Sequence, residues 1–522
     1  MSPRDPYLLD PSLVEEPPTT WRGMVRYLGP GLVLTASIVG SGELIATTSL
    51  GARAGFTALW IILVSCAVKV ALQLQFGRHT ILTGETCLTA FNKLPGPSFR
   101  GAHWTIWCWL LIQPLKMLQM GGIVGGVAMI MNIVAPLDAP LAALPASVHI
   151  TSVTVWCWIA AIISAMMVSG ESYRFIERVC VALVVAFTAT TLVSVFSLQW
   201  TEYAVSRGDF VEGLRFKLPA DLMIAMGAFG LTGVGGDEIM QYTYWLIEKG
   251  YAARTGSPSP GDAAWERRAR GWIKVMYFDA LVSMVVYTVI TAAFYLLGAA
   301  VLYARGETPE GYATINTLAL MYTESLGEWA RSVFMIGAFA VLFSTVFSAL
   351  AAWTRVFTDA AGKLGMIDFL NVAQRRRTIT LLAWFFPLAW ATIFLVYKEP
   401  VIMVTLGGMG TAAILLVIVF AAINFRYRRE VPSLRPGWFY DLSLWVSIAA
   451  IVAVAIYGAQ DGFRKWQNQK PAQASPASED DSSAKTQAFD AKLQRVFSTR
   501  MLETSVELTH NNDIVAIEHW NA

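Results

Sequence analysis

The chain of 522 residues is strongly apolar, since 55% of its residues are hydrophobic, only 15% are charged and the mean hydropathy is +0.50. Soluble domains carry about 25% charged residues, so this composition argues against an ordinary soluble enzyme. The formal net charge of +2 is too small to indicate a nucleic-acid partner. The sequence also lacks a phosphate-binding loop, a nucleophile elbow and a paired-histidine metal motif. We therefore expect no enzymatic activity, no cofactor and no nucleotide partner.

Apolar segments long enough to cross a bilayer recur along most of the chain. A membrane-spanning helix needs about 20 mostly apolar residues. Eleven spans are predicted on this basis, at 28–51, 56–77, 105–134, 151–169, 178–198, 221–246, 273–302, 328–353, 378–397, 401–424 and 439–459. The pattern predicts an all-α polytopic membrane protein whose surroundings are the lipid bilayer.

The termini differ from this membrane domain. Residues 1–27 are polar and proline-rich and lack the pattern of a cleavable signal peptide. Lysine and arginine are concentrated in alternate loops, which predicts a cytoplasmic N-terminus. The plasma (inner) membrane is the expected location. After the transmembrane domain at 28–460, residues 461–488 are predicted to be a flexible linker. Residues 489–522 are predicted to form a small accessory element.

Two related glycine-rich motifs interrupt the first and sixth spans. Residues 39–43 read V-G-S-G-E and residues 234–238 read V-G-G-D-E, and five spans separate them. Glycine-interrupted helices at equivalent positions of two halves are typical of transporter binding sites at the bilayer midplane. The motifs predict a five-plus-five inverted repeat over 28–198 and 221–424, with an eleventh helix at 439–459. The residues assigned to the site are Gly40, Ser41, Gly42, Glu43, Val234, Gly235, Gly236, Asp237 and Glu238.

The predicted site is rich in carboxylates and other hard oxygen donors. One charged side chain near the bilayer centre costs roughly 3 kcal/mol, and Glu43, Asp237 and Glu238 would repel one another without a cation, a proton or a lysine. Hydroxyls such as Ser41 and Thr232 and the free carbonyls add oxygen ligands. The five histidines lie in loops, at span ends or in the tail. These donors favour Mg²⁺, Ca²⁺ or Mn²⁺ over metals that prefer sulfur or imidazole.

Other polar residues lie inside the spans. Lys116 in the third span is a candidate internal counter-ion for the carboxylates, and Gln113 is a candidate polar lining residue. Lys69 in the second span is expected to snorkel towards the inner surface. The glycines at 121–126 are interpreted as a site of close helix packing. Those at 406–410 are interpreted either as packing, which is favoured, or as a third flexible wall of the cavity.

Five segments outside the breaks match a known family. They lie at 28–31 (Leu-Gly-Pro-Gly), 52–63, 126–132, 172–177 and 297–358. Over roughly residues 23–430 the chain resembles the natural resistance-associated macrophage protein (Nramp) family of divalent-metal transporters. The resemblance implies the LeuT-type fold and a divalent metal ion as the transported substrate.

The chain departs from this family at the positions that bind metal. The family's Asp-Pro-Gly-Asn in the first span is replaced by residues 40–43, and its Met-Pro-His in the sixth span by residues at about 234–237. Acidic residues of the family's proton pathway are replaced by Gln113, Met120 and Ile123. The chain is therefore similar to a divergent branch, the Nramp-related magnesium transporters. The resemblance supports the fold but not transition-metal selectivity or proton coupling.

Three functional hypotheses follow. The leading hypothesis is secondary transport of a divalent cation, Mg²⁺ or Mn²⁺, by alternating access. A second is a cation-coupled transporter of a small organic solute, in which the carboxylates hold Na⁺ or a substrate amine. A third is a non-transporting sensor or scaffold that acts through the C-terminal tail.

Overall fold

The computed structural model describes residues 5–40, 42–141, 150–169, 173–219, 222–310, 314–327 and 329–469, and these ranges are mostly helical. The α-helices are α1 (Trp21–Val25), α2 (Pro30–Ile38), α3 (Thr48–Ala54), α4 (Leu59–Thr83), α5 (Cys87–Phe91), α6 (Trp104–Val134), α7 (Asp138–Leu141), α8 (Ser152–Val168), α9 (Tyr173–Ser197), α10 (Arg207–Gly213), α11 (Leu222–Leu231), α12 (Gly236–Lys249), α13 (Tyr251–Thr255), α14 (Ala263–Leu297), α15 (Tyr303–Arg305), α16 (Thr314–Leu326), α17 (Trp329–Lys363), α18 (Val372–Tyr397), α19 (Pro400–Arg428) and α20 (Trp438–Gln469).

Shorter elements connect these helices. Two π-helical segments, Gly42–Thr47 and Gly298–Leu302, continue into α3 and α15. Single turns of 3₁₀ helix lie at Pro11–Leu13, Gly55–Ala58, Leu198–Trp200 and Pro432–Leu434. Two strands of two residues each, β1 (Ser98–Phe99) and β2 (Ala102–His103), form an antiparallel hairpin in which Ser98 lies opposite His103.

The predicted spans agree with the helices that the structure describes. The first span is divided into α2 and α3 and the sixth into α11 and α12, as the glycine motifs predict. The nine other spans correspond to α4, α6, α8, α9, α14, α17, α18, α19 and α20. The all-α architecture with broken first and sixth helices is therefore confirmed. The inverted repeat and the number of membrane spans stay predictions.

Several of these helices are long and apolar enough to cross a membrane. Within the described ranges, seven helical stretches meet that requirement. They are Leu44–Thr83, Trp104–Val134, Ala263–Arg305, Trp329–Lys363, Val372–Tyr397, Pro400–Arg428 and Trp438–Gly458. Helix α8 is apolar but shorter. The chain is thus an integral membrane protein, and its orientation remains a prediction.

The chain divides into two compact units, residues 1–458 and residues 459–522. Of the second unit the structure describes only 459–469, at the end of α20. Helix α20 thus continues into the segment predicted to be a linker, 461–488. The rest of that segment and the predicted element at 489–522 lie outside the described residues.

The broken helices lie at the centre of the first unit. Helix α2 packs against α9, α12, α14 and α17, whereas α11 and α12 pack against α4 and α19. Helix α6 packs along α19 and also contacts α8, α17 and α18. Both breaks are therefore enclosed by other helices, as the bilayer requires of irregular backbone.

Helices α11 and α19 cross with their backbones in contact. A Cβ atom added at Gly408 would lie 2.4 Å from the carbonyl oxygen of Gly227, and one added at Gly230 would lie 1.9 Å from the carbonyl oxygen of Gly408. Glycine is required at this crossing because a backbone atom cannot move aside as a side chain can. The packing role predicted for the glycines at 406–410 is confirmed here.

We predict that Gly408→Ala lowers the thermal stability of the detergent-solubilised protein. The added methyl group forces α19 away from α11, and overpacking of this kind costs about 1–3 kcal/mol. Gly437→Ala is the matched control, because no atom of the residues that the structure describes lies within 4 Å of a Cβ placed there. Equal melting temperatures for the two variants would show that the helices are not in close contact.

Candidate functional site

The first break separates α2 from the π-helical segment that begins at Gly42. Gly40 packs directly on α17, since a Cβ atom there would lie 1.5 Å from Oγ1 of Thr345. That hydroxyl donates a hydrogen bond to the carbonyl oxygen of Ala36, one of the last residues of α2, at 3.1 Å. Ser41 and the side chain of Glu43 lie outside the described part of the chain. Their roles therefore stay predictions.

The second break separates α11 from α12. Residues 232–235, which include Val234 and Gly235, cross the gap and are buried. Gly233 has φ of +64°, and a Cβ atom at that position would lie 2.9 Å from the Cα atom of Cys66 on α4. Glycine fits this left-handed backbone beside a neighbouring helix, whereas a residue with a side chain would be strained. Helix α12 then begins at Gly236.

Asp237 lies in the first turn of α12 and is only 3% exposed. Its Oδ1 accepts hydrogen bonds from Nε1 of Trp109 at 2.8 Å and from Nε2 of Gln113 at 3.4 Å. Its Oδ2 lies 3.5 Å from Nζ of Lys116. The N-terminal end of the α12 dipole further stabilises a negative charge here. The structure thus brings the predicted counter-ion and lining residue to the same carboxylate.

Lys116 is held by three helices. It is 2% exposed, and its ammonium group donates to Oε1 of Gln119 at 2.6 Å and to Oγ1 of Thr411 on α19 at 2.5 Å. With Asp237 on α12, these contacts link α6, α12 and α19. Removal of one partner would leave a buried charge uncompensated, which costs about 3–5 kcal/mol.

Several buried oxygen atoms around this ion pair have no hydrogen-bond donor among the described residues. They are Oδ2 of Asp237, Oε2 of Glu238, Oε1 of Gln113 and Oε1 of Gln241. Three of these oxygens belong to the first two turns of α12, and Gln113 contacts Asp237 directly. Buried polar atoms are nearly always paired, so a group of unpaired oxygens indicates a place for a ligand.

Glu238 is half-buried, and its unpaired oxygen faces the second break. A Cβ atom at Gly235 would lie 2.3 Å from Oε2 of Glu238. Among the described residues, no three carboxylate, imidazole or thiol groups are placed together as metal ligands. Asp237 and Glu238 therefore supply two of the three predicted carboxylates, and the third, Glu43, is the one whose side chain the structure does not describe.

Thr232 and Lys69 lie at the α11 end of the second break, whereas Asp237 and Glu238 lie at its α12 end. The hydroxyl of Thr232 donates to Oγ of Ser65 on α4 at 2.8 Å. Lys69 is fully buried and donates to carbonyl oxygens at the end of α11. The prediction that Lys69 snorkels to the inner surface is therefore wrong, because the open end of α11 offers its ammonium group acceptors inside the protein.

A second buried carboxylate fixes the start of α2. Asp279 on α14 is fully buried and accepts hydrogen bonds from the backbone N–H groups of Gly29 at 2.9 Å and Gly31 at 2.7 Å. The hydroxyl of Tyr242 on α12 donates to the same carboxylate at 3.0 Å. Lys249 donates to the carbonyl oxygen of Leu28 at 3.1 Å. One carboxylate thus joins α2, α12 and α14.

Trp109, Thr411 and Asp279 take part in these contacts but were not among the residues predicted from the sequence. The sequence does contain a signal for Trp109. This residue precedes Gln113 by four residues and Gln113 precedes Lys116 by three, so the three side chains share one face of α6. Asp279 is an acid inside an apolar span, which by itself indicates an internal partner. No local pattern marks Thr411, since threonine bonded to its own helix is common in apolar spans.

Known proteins are similar to this chain in sequence and in fold. The profile of the family described as natural resistance-associated macrophage protein-like matches residues 31–460. The divalent metal cation transporter MntH of Nostoc sp. is 24% identical over 446 residues, which cover 84% of this chain and 90% of the relative. An uncharacterized protein of Pasteurella multocida is 24% identical over 368 residues, which cover 68% and 76% of the two chains.

A solved structure of a manganese transporter from Eremococcus coleocola has a TM-score of 0.61 and 14% sequence identity to this chain, with 95% of each chain covered. This likeness confirms the LeuT-type fold. Because the matched family consists of membrane transporters, the expectation that the chain is not an enzyme is also confirmed. The chain belongs to the natural resistance-associated macrophage protein (Nramp) family.

Proposed function

We propose that this protein transports a divalent metal cation across the membrane by alternating access. The observation that carries the proposal is the group of unpaired buried oxygens beside the Asp237–Lys116 pair. The chain belongs to the Nramp family and is similar to relatives named divalent metal cation transporters, and both facts support a divalent metal cation as the cargo.

The donor set favours a hard cation, Mg²⁺ or Mn²⁺. The oxygens available on α6 and α12 are the carboxylates of Asp237 and Glu238 and the amides of Gln113 and Gln241. Such oxygens suit Mg²⁺ and Mn²⁺, whereas thioether and imidazole ligands favour softer metals. Glu43 is proposed to complete the site from the first break.

Lys116 is proposed to neutralise the site when no metal is bound. Its ammonium lies 3.5 Å from Oδ2 of Asp237, the oxygen for which the described residues provide no hydrogen-bond donor. A divalent cation at that oxygen would repel the ammonium, which keeps Gln119 and Thr411 as partners. Metal and lysine would thus alternate at one carboxylate, without a proton as the coupling ion.

Buried contacts close the side of the protein that is expected to face the cytoplasm. Glu248 at the end of α12 accepts hydrogen bonds from Nε of Arg355 on α17 at 2.6 Å and from the hydroxyl of Tyr7 at 2.8 Å. Arg375 on α18 pairs with Asp5 at 2.6 Å. We call these five residues the inner network. Alternating access requires that the inner network separates when the metal leaves.

We predict that Glu238→Gln and Asp237→Asn each reduce divalent metal uptake into proteoliposomes by about tenfold or more, because each removes a charged oxygen ligand. The double variant Glu43→Ala and Glu238→Ala should abolish uptake. Glu310→Gln is the control, since Glu310 is largely exposed and pairs with Arg53. Undiminished flux in the double variant would contradict the assigned site.

The purified protein should gain thermal stability from Mg²⁺ and Mn²⁺ and much less from Cd²⁺, because its ligands are hard oxygens. The measurement is a melting curve with each metal at equal ionic strength. Glu238→Gln should lose the stabilisation. If an organic amine shifts the melting temperature and no metal does, the organic-solute hypothesis replaces this one.

We predict that Arg355→Gln opens the inner side of the protein. The readout is maleimide labelling of Cys87 as the sole cysteine, because Cys87 is 1% exposed and its N–H bonds to Oγ1 of Thr243 on α12. Labelling should become several-fold faster as the buried pair with Glu248 is lost. Arg267→Gln, which breaks only an exposed pair, is the control. Equal labelling rates would show that the inner network does not close this side.

A further inference from the structure

A lysine from α4 lies at the open C-terminal end of α11. The Nζ atom of Lys69 donates to the carbonyl oxygens of Phe229, Gly230 and Thr232, at 3.3 Å for Gly230 and 2.7 Å for Thr232. The last carbonyls of a helix have no partner within the helix and carry the negative end of its dipole. The ammonium group therefore satisfies three of the carbonyl acceptors at the second break.

The surroundings of this ammonium group are those of a cation site. Ser65, one turn earlier on α4, donates to the carbonyl oxygens of Phe229 at 2.9 Å and Thr232 at 3.2 Å, which orients the same carbonyls. The Phe229 ring lies 4.7 Å from Nζ of Lys69 and adds a cation–π contact. Lys69 is fully buried, so solvent does not share this charge.

In transporters with broken helices, unwound carbonyls and the C-terminal ends of half-helices commonly coordinate Na⁺ or a proton. We propose that Lys69 is a resident cation that takes the position of such a coupling ion at the end of α11. Because the ammonium group is covalently attached, it is not exchanged during the cycle. Metal transport by this protein then does not depend on Na⁺ or K⁺.

The proposal rests on the proposed function only for the identity of the cargo. A cation at this position stabilises the second break, and this stabilisation can be measured as a melting temperature without a transported metal. Two substitutions separate charge from volume. Lys69→Ala removes the ammonium and leaves space that a small cation can enter, whereas Lys69→Met removes the charge and fills most of the space.

The experiment compares melting temperatures of the full-length protein in NaCl, KCl, choline chloride and propylammonium chloride at equal ionic strength. The wild type should melt at the same temperature in all four salts. Lys69→Ala should melt lower in choline and recover at least half of the loss in Na⁺, K⁺ or propylammonium. Lys69→Met should stay low in every salt, because no cation can reach the carbonyls.

A wild-type protein that requires Na⁺ or K⁺ for stability or for metal uptake would overturn the proposal, as would a folded Lys69→Ala variant indifferent to all cations. If Lys69→Ala cannot be purified in any salt, the wild-type measurements decide. Dependence of the wild type on Na⁺ or K⁺ overturns the proposal, and independence supports it. Failure of metal uptake by the wild type in every salt would contradict the proposed function instead, and it would leave the melting comparison unaffected.

Discussion

Every backbone group that the two helix breaks expose must find its partner inside the protein, because lipid offers none. The same constraint holds at other helix ends in the bilayer, and it explains several of the buried charges among the described residues. Lys69 meets the carbonyl end of α11, and Asp279 meets the N–H groups at the start of α2. The first turn of α12 carries its own carboxylates, Asp237 and Glu238, at the positive end of the helix. Each of these three helix ends is thus matched by a charge of the opposite sign.

The two sides of the second break differ in how completely they are satisfied. The carbonyl side is occupied by an ammonium group and a serine hydroxyl from α4. The carboxylate side keeps oxygens that find no donor within the described part of the chain, and its lysine lies 3.5 Å away rather than in hydrogen-bonding contact. The carboxylate side is therefore the side at which the proposed metal site lies. Burial makes this asymmetry significant, since charges interact much more strongly away from water.

The sequence was sufficient for the architecture because spans and breaks follow from local composition. Runs of apolar residues mark helices, and the paired motifs at 39–43 and 234–238 mark their interruptions. Partners of buried charges are set by tertiary packing, so they were only partly predictable. Lys116 could be matched with an acid because both lie deep in spans. Lys69 could not be placed, since its acceptors are backbone carbonyls that appear only once α11 ends beside α4.

The carboxylate of Asp279 has a mechanical consequence. It bonds two N–H groups at the start of α2 and the hydroxyl of Tyr242 on α12, while belonging to α14. Hydrogen bonds to a charged group contribute about 1.5–3 kcal/mol each, so independent displacement of either half-helix would be slow. The three helices are thus held together at one buried carboxylate. Under the proposed alternating access, α2, α12 and α14 are therefore expected to move together rather than one at a time.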